Sequence, residues 1–201
     1  MKRISAITCL LAMTSLTVAC GGVMTSDHPT RQTYLLDPYS VQSDENTGVP
    51  WPTLALAVTA VPGLDTDHIQ ALSTDASLKH YANARWADFL PEVLSSVLRR
   101  SLASTGRFEA VKATVAPDSG DWMLALEVQQ FFGTQDAAGN TSSVEARFEG
   151  LLHCNDEDHQ LQMSVSRAVR EERLSVVVRA HQQALDGITQ QLVDQIMESC
   201  H

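Results

Sequence analysis

The sequence predicts an α/β protein: a single layered domain in which a mixed β-sheet is packed by two main amphipathic helices. Three observations point there. Leu90, Val93, Leu94, Val97, Leu98 and Leu102 recur at helical spacing, as do Val177, Ala180, Ala184, Ile188, Leu192 and Ile196, so two segments each carry an apolar stripe. Bulky residues alternate with small or polar ones at Leu54, Leu56 and Val58, Leu124, Leu126 and Val128, Val144, Ala146 and Phe148, and Leu161, Met163 and Val165, which is strand periodicity. The chain has 201 residues, enough for one domain and too few for two comfortable ones.

Taken in order, Met1-Lys2-Arg3 is a short basic start to an apolar run from Ile4 to Ala19. That run is too short and too rich in Ser and Thr to span a bilayer, so residues 1–19 read as a signal peptide. It ends at Thr17-Val18-Ala19-Cys20-Gly21. Small residues before a cysteine suit a lipoprotein signal peptidase, which predicts lipidation at Cys20. Thr17 stands where Leu is usual, and Leu16 falls one residue early; ordinary export is the alternative reading. A triacylated cysteine would exceed the two-chain threshold for stable anchoring. Gly21, in place of a retaining Asp, favours the outer membrane, with the protein facing the periplasm. Residues 20–31 form the lipidated N-terminus and a polar tether, and the domain is expected over 32–201.

Tyr34 to Asp37 reads as a short first strand, and Pro38 to Pro52 as a loop. Leu54 to Thr59 has one bulky and one small face, suited to lying under a helix. Pro91 belongs in a first turn, so the first helix starts near Asp88, a plausible N-cap, and stops at Gly106. Arg107 to Val115 reads as a strand, and Pro117 to Gly120 as a turn. Three alternating strands follow, joined by loops at Thr134–Thr141 and Asn155–Asp158. Gly187 interrupts the second helix, a cost of roughly 1 kcal/mol relative to Ala.

The stretch around the first helix carries a pattern: Tyr81, then Ala82, Arg85, Trp86 and Ala87 as A-x-x-R-W-A, then Leu90-Pro91 and the helix, closed by Thr105, Gly106, Arg107 and Phe108. Upstream, Val61-Pro-Gly-Leu-Asp65-Thr-Asp67-His-Ile69 fits the same pattern. It resembles the ABC-type transport auxiliary lipoproteins, the PqiC-like components of bacterial intermembrane lipid transport. The resemblance spans roughly residues 30 to 198 and implies a Rossmann-like layered fold without a nucleotide fingerprint. It implies a non-enzymatic subunit of an ABC/MCE-type system, supporting outer-membrane integrity. Its partners would be an MCE-domain protein and an ABC permease/ATPase complex, with room for a homo-oligomer. Within the motif, Trp86 is expected to be structural, as a hydrophobic staple at the helix entry. Arg85 is open between a partner contact and a role in the fold.

The remaining candidates are weaker. Formal charge is −10, and without Lys2 and Arg3 twelve basic residues stand against 24 acidic ones, which argues against nucleic acid and against attraction to anionic headgroups. His153, Cys154, Asp156, Glu157, Asp158 and His159 are the one dense set of potential metal ligands. A zinc site would need 153, 154 and 159 to converge with a fourth donor. They fall at a hairpin turn, where acidic residues are ordinarily solvated, so no metal is expected. Asp65 and Asp67 could pair as carboxylates but read as a solvated loop. With Cys9 lost and Cys20 acylated, Cys154 and Cys200 either form a disulfide or stay as two thiols; both readings stand. There is no G-x-S-x-G elbow and no phosphate-binding loop, so no catalytic residue and no cofactor are assigned. Two rivals remain: an outer-membrane assembly lipoprotein acting on a β-barrel partner, and a periplasmic metal-dependent enzyme using residues 153–159.

Overall fold

Strand-forming residues dominate the described part of the chain, and one long strand organises it. The computed structural model describes residues 31–40, 50–113 and 122–200. The leader, Cys20, most of the tether and the turn at 117–120 lie outside the described residues. Eight strands form a mixed sheet: β1 (Gln32–Tyr34), β2 (Leu54–Ala60), β3 (His68–Leu72), β4 (Leu78–Trp86), β5 (Val111–Ala113), β6 (Trp122–Gln135), β7 (Thr141–Cys154) and β8 (Glu157–Ala168). Two helices pack on it, α1 (Leu90–Ser104) and α2 (Leu174–Ser199). No helix among the described residues is long and apolar enough to cross a membrane.

β6 is the branch point. One edge pairs antiparallel with β7 along nearly its whole length, and β7 pairs antiparallel with β8. The other edge is shared. Its first half takes β2 in parallel register, Leu54 opposite Trp122 through Ala60 opposite Val128, and its second half takes β3, Ala71 opposite Gly133. A single 3₁₀ turn at Pro62–Leu64 carries the chain between the two. β5 extends the sheet beyond β2, and β4 and then β1 extend it beyond β3.

The alternation in β6 to β8 is a burial pattern. Leu124, Leu126, Val128, Val144, Ala146, Phe148, Leu161, Met163 and Val165 face the core, while Ala125, Glu127, Arg147, Glu149, Gln160 and Gln162 are exposed. α1 lies over β2 and β5, α2 over β7 and β8, and the helices touch each other. Leu94, Leu98 and Leu102 of α1 are fully buried, as are Ala184, Ile188 and Leu192 of α2. At Gly187 α2 lies close against β8. A Cβ there would meet Arg167 Nη2 at 2.9 Å and the Val165 methyls at 3.1 and 3.3 Å, so the residue that weakens the helix permits its packing.

Several local expectations need correction. Phe89, not Asp88, precedes the first helical residue, and the Asp88 carboxylate accepts a bond from the adjacent Phe89 N–H at 2.8 Å, outside the helix. The first strand is Gln32–Tyr34, because the chain leaves the sheet after Tyr34 and Leu36 drops into the core. The strand expected from Arg107 is described only over Val111–Ala113; Phe108 forms a single bridge with Trp51. β3 and β4 were not foreseen, because a bulge in β4 breaks its alternation. Trp86 is no staple: it ends β4 at 1% exposure, its ring 5.4 Å from His181 of α2 and 6.1 Å from Phe131.

Candidate functional site

The bulge in β4 is built by the motif residues themselves. His68 pairs with Arg85 and Gln70 with His80, so β3 advances two residues while β4 advances five. The surplus, Tyr81 to Ala84, bulges within the strand, where Ala84 pairs with Gln32 of β1 and Asn83 takes the left-handed region at φ 57°. Non-glycine residues in that region persist where surrounding structure holds them, and two ties do so here. Trp86 N–H donates to the Asp67 carbonyl at 2.7 Å. Tyr81 Oη bonds Thr141 Oγ1 across the sheet, and burial pushes the phenol pKa up. Gly133 makes that reach possible, because a Cβ there would lie 2.8 Å from Thr141 Cγ2 and 3.0 Å from the Tyr81 oxygen.

What the bulge presents is a set of charged and polar side chains. The His68 and His80 rings sit 4.7 Å apart. Asp67 Oδ1 is 3.2 Å from His68 Nδ1, and Asp67 Oδ2 is 3.7 Å from Arg85 Nη1. Thr66 Oγ1 lies 2.8 Å from the same His68 nitrogen, and Arg85 Nε donates weakly to Thr33 Oγ1 at 3.4 Å. Arg31, Asp67, His68, His80 and Arg85 line a cavity of about 250 Å³ over the bulge. The Arg85 and Asp67 side chains are 42% and 30% exposed, so their ion pair contributes little to stability and leaves the guanidinium accessible. A broader depression of about 700 Å³ lies on the exposed face of the sheet, beside Glu127, Glu149 and Gln160.

The second half of the motif is absorbed by the fold. Leu90 and Pro91 are buried in the first turn of α1, and Gly106 takes φ 64° just after the helix. Phe108 packs edge-on to Trp51 at 5.3 Å and Trp122 at 6.3 Å, and the Arg107 guanidinium lies 5.7 Å from the Trp51 ring.

The 153–159 segment does not converge. Asn155 and Asp156 form a tight two-residue turn with φ of 52° and 65°, which places His153 opposite Asp158 on the neighbouring strand. His153 Nδ1 bonds Asp158 Oδ1 at 2.8 Å. Cys154 is buried and bonded to Cys200 in a disulfide, so its sulfur is not a free ligand. No group of three potential donors among the described residues could hold a metal ion. Asp65 and Asp67 do not pair either; Asp65 is exposed after the 3₁₀ turn, and Asp67 serves His68 and Arg85.

Sequence reasoning missed His68, His80 and Thr66, because only the bulge brings them beside Arg85. It also missed His181, which is fully buried between Trp86 and Phe131. The histidine spacing carried no signal for either.

The family model for the ABC-type transport auxiliary lipoprotein component matches residues 34–193, from β1 into α2. The chain belongs to this family. It is therefore an auxiliary lipoprotein component of an ABC-type transport system by family, and association with a transporter system follows from that membership. No curated protein matches the chain. Among solved structures, a crystal structure of an uncharacterized protein superposes with a TM-score of 0.68 at 16% identity, covering 84% of this chain and 99% of the other. A crystal structure of a Xanthomonas campestris protein gives a TM-score of 0.66 at 21% identity, covering 83% and 95%. At these identities the two establish the shared fold and nothing further.

Proposed function

We propose that this chain is a non-enzymatic, lipid-anchored subunit of an MCE-type intermembrane lipid transport system. It is held in the outer membrane through Cys20 and faces the periplasm. Its partners are an MCE-domain protein and, through it, an ABC permease/ATPase complex. The β4 bulge is its contact surface. One observation carries that assignment: Arg85, at the centre of the family motif, is accessible although Trp86 beside it is buried, so the motif fixes the backbone and leaves the charge for a partner. A charge on a rigid bulge loses little entropy on binding, which favours specific contact.

Arg85→Glu tests this directly. Charge reversal should reduce co-purification with the MCE protein severalfold while the melting temperature stays nearly unchanged. A large fall in melting temperature would assign Arg85 to the fold instead. A wild-type chain that captures a barrel-assembly factor, and never an MCE protein or its transporter, would replace the lipid-transport reading with the assembly one.

A further inference from the structure

We propose that the cavity over the β4 bulge is a binding site for a phosphate group, held by Arg31, Arg85, His68 and His80. The inference goes beyond the partner reading, which uses Arg85 and gives the other three residues no role. Charge singles the cavity out. Lys and Arg total 14 against 24 Asp and Glu over the whole chain, yet two arginines and two histidines gather here around a single carboxylate, Asp67. Even with both imidazoles neutral, two guanidinium groups outweigh that carboxylate. Three strands take part. Arg85 stands opposite Thr33 of β1 and His68 of β3, and Arg31 enters from the residue before β1. The bulge then brings His80 alongside, its ring 4.7 Å from that of His68 although the two belong to different strands.

The donors suit a phosphate better than a carboxylate. Guanidinium groups grip phosphate through forked N–H pairs, and a phosphate spreads up to two charges over oxygens that point in several directions. Asp67 shows that these groups accept an anion: its carboxylate lies 3.2 Å from His68 Nδ1 and 3.7 Å from Arg85 Nη1. Among the described residues neither Arg31 nor His80 has an ion pair of its own. A volume of about 250 Å³ falls below that of pockets enclosing drug-sized ligands, so a head group enters rather than a whole lipid. Two sources share this chemistry, a lipid headgroup and a free phosphate compound. The place of the cavity favours the first, and on this point the inference rests on the proposed anchor. Arg31 stands eleven residues after Cys20, a length of chain that reaches at most about 40 Å, so headgroups of the anchoring membrane stay within range. The formal charge of −10 opposes any general attraction to anionic headgroups, which leaves the contact to a built cavity.

The test titrates the purified full chain in detergent, at constant pH and ionic strength, with inorganic phosphate and with the short-chain lipid dihexanoylphosphatidylglycerol. Binding is followed by NMR at the His68 and His80 imidazoles, with acetate as the carboxylate control. At least one phosphate probe should move these signals saturably. Arg31→Ala, and His80→Ala read at His68, should each raise its dissociation constant about tenfold. Arg100→Ala, which removes an exposed arginine on α1, should leave it unchanged. Tighter binding of the lipid names a headgroup as the source, and tighter binding of inorganic phosphate names a free phosphate compound. If His80→Ala melts below the wild type, Arg31→Ala alone carries the test, because Arg31 lies outside the strands. The proposal is overturned if neither probe saturates, if acetate binds as tightly, or if Arg31→Ala changes binding no more than Arg100→Ala does. No readout here involves the MCE partner, so such a failure leaves the partner reading to be judged by Arg85→Glu.

Discussion

His181 shows how far the fold can move one side chain from its ordinary chemistry. Its Nδ1 bonds the Val177 carbonyl at 3.0 Å, and its Nε2 is buried without a partner between the rings of Trp86 and Phe131. Burial holds the imidazole pKa down at about 4, against the smaller opposing pull of the Val177 carbonyl. The unfolded chain therefore takes up a proton near pH 6.5 that the folded chain refuses until about pH 4. Stability is full above pH 6.5 and is lost as pH falls towards 4, by roughly 3 kcal/mol for this group. Chemical denaturation across that range should show the loss, and His181→Leu should flatten it while costing little at neutral pH. A Gly133→Ala change acts at the same scale. The new methyl displaces Thr141 and Tyr81, and the variant should lose about 1–3 kcal/mol by the same denaturation measurement.

Among the elements, α1 is held mainly by its stripe, with the Leu90 N–H donating to the Thr66 carbonyl and Ser101 Oγ accepting from the Tyr39 N–H. No side chain caps its N-terminus, and Leu94 and Leu98 have no exposed surface. Leu94→Ala or Leu98→Ala should cost about 2–5 kcal/mol through the cavity left behind, read as a lower urea midpoint. α2 tolerates Gly187 for a reason its own sequence hides, namely the side chains of β8 beneath it. Gly187→Val should therefore destabilise although Val is the better helix residue. At β4, propensity and tertiary context disagree. Asn83 sits mid-strand at positive φ, and the bonds of Trp86 and Tyr81 hold it there.

Across the whole molecule, the disulfide joins the end of β7 to the end of α2 over a separation of 46 residues. In the chain-entropy model a loop of that length contributes roughly 4 kcal/mol. Cys200→Ser should lower the thermal midpoint, and a reductant should lower the wild type to match. At the same scale stands the proposed anchor. Cys20→Ser should abolish fatty-acid labelling and release the chain from the membrane fraction. The released protein should complement a deletion poorly, because contact with a partner depends on being held where the partner reaches.

The two helices, the alternating strands and the mixed α/β class were legible in the sequence, because period alone reports which face of an element is dry. The motif from Tyr81 to Phe108 was legible as the mark of a family. Trp86 was read as structural and Arg85 left open, since the opposite fates of these neighbours depend on which side of β4 faces α2. The pairing of Cys154 with Cys200 was open for the same reason: spacing along the chain does not say where two strand and helix ends meet. β3, β4 and the His68–His80 pair were hidden by the bulge, which erases alternation where the local chemistry is richest. Gln191 and Gln195 of α2, which bond the β8 backbone, were hidden by distance, lying 27 and 33 residues from the groups they hold. Burial leaves a periodic trace in sequence, whereas long-range hydrogen bonds leave none, and only the tertiary structure decides those.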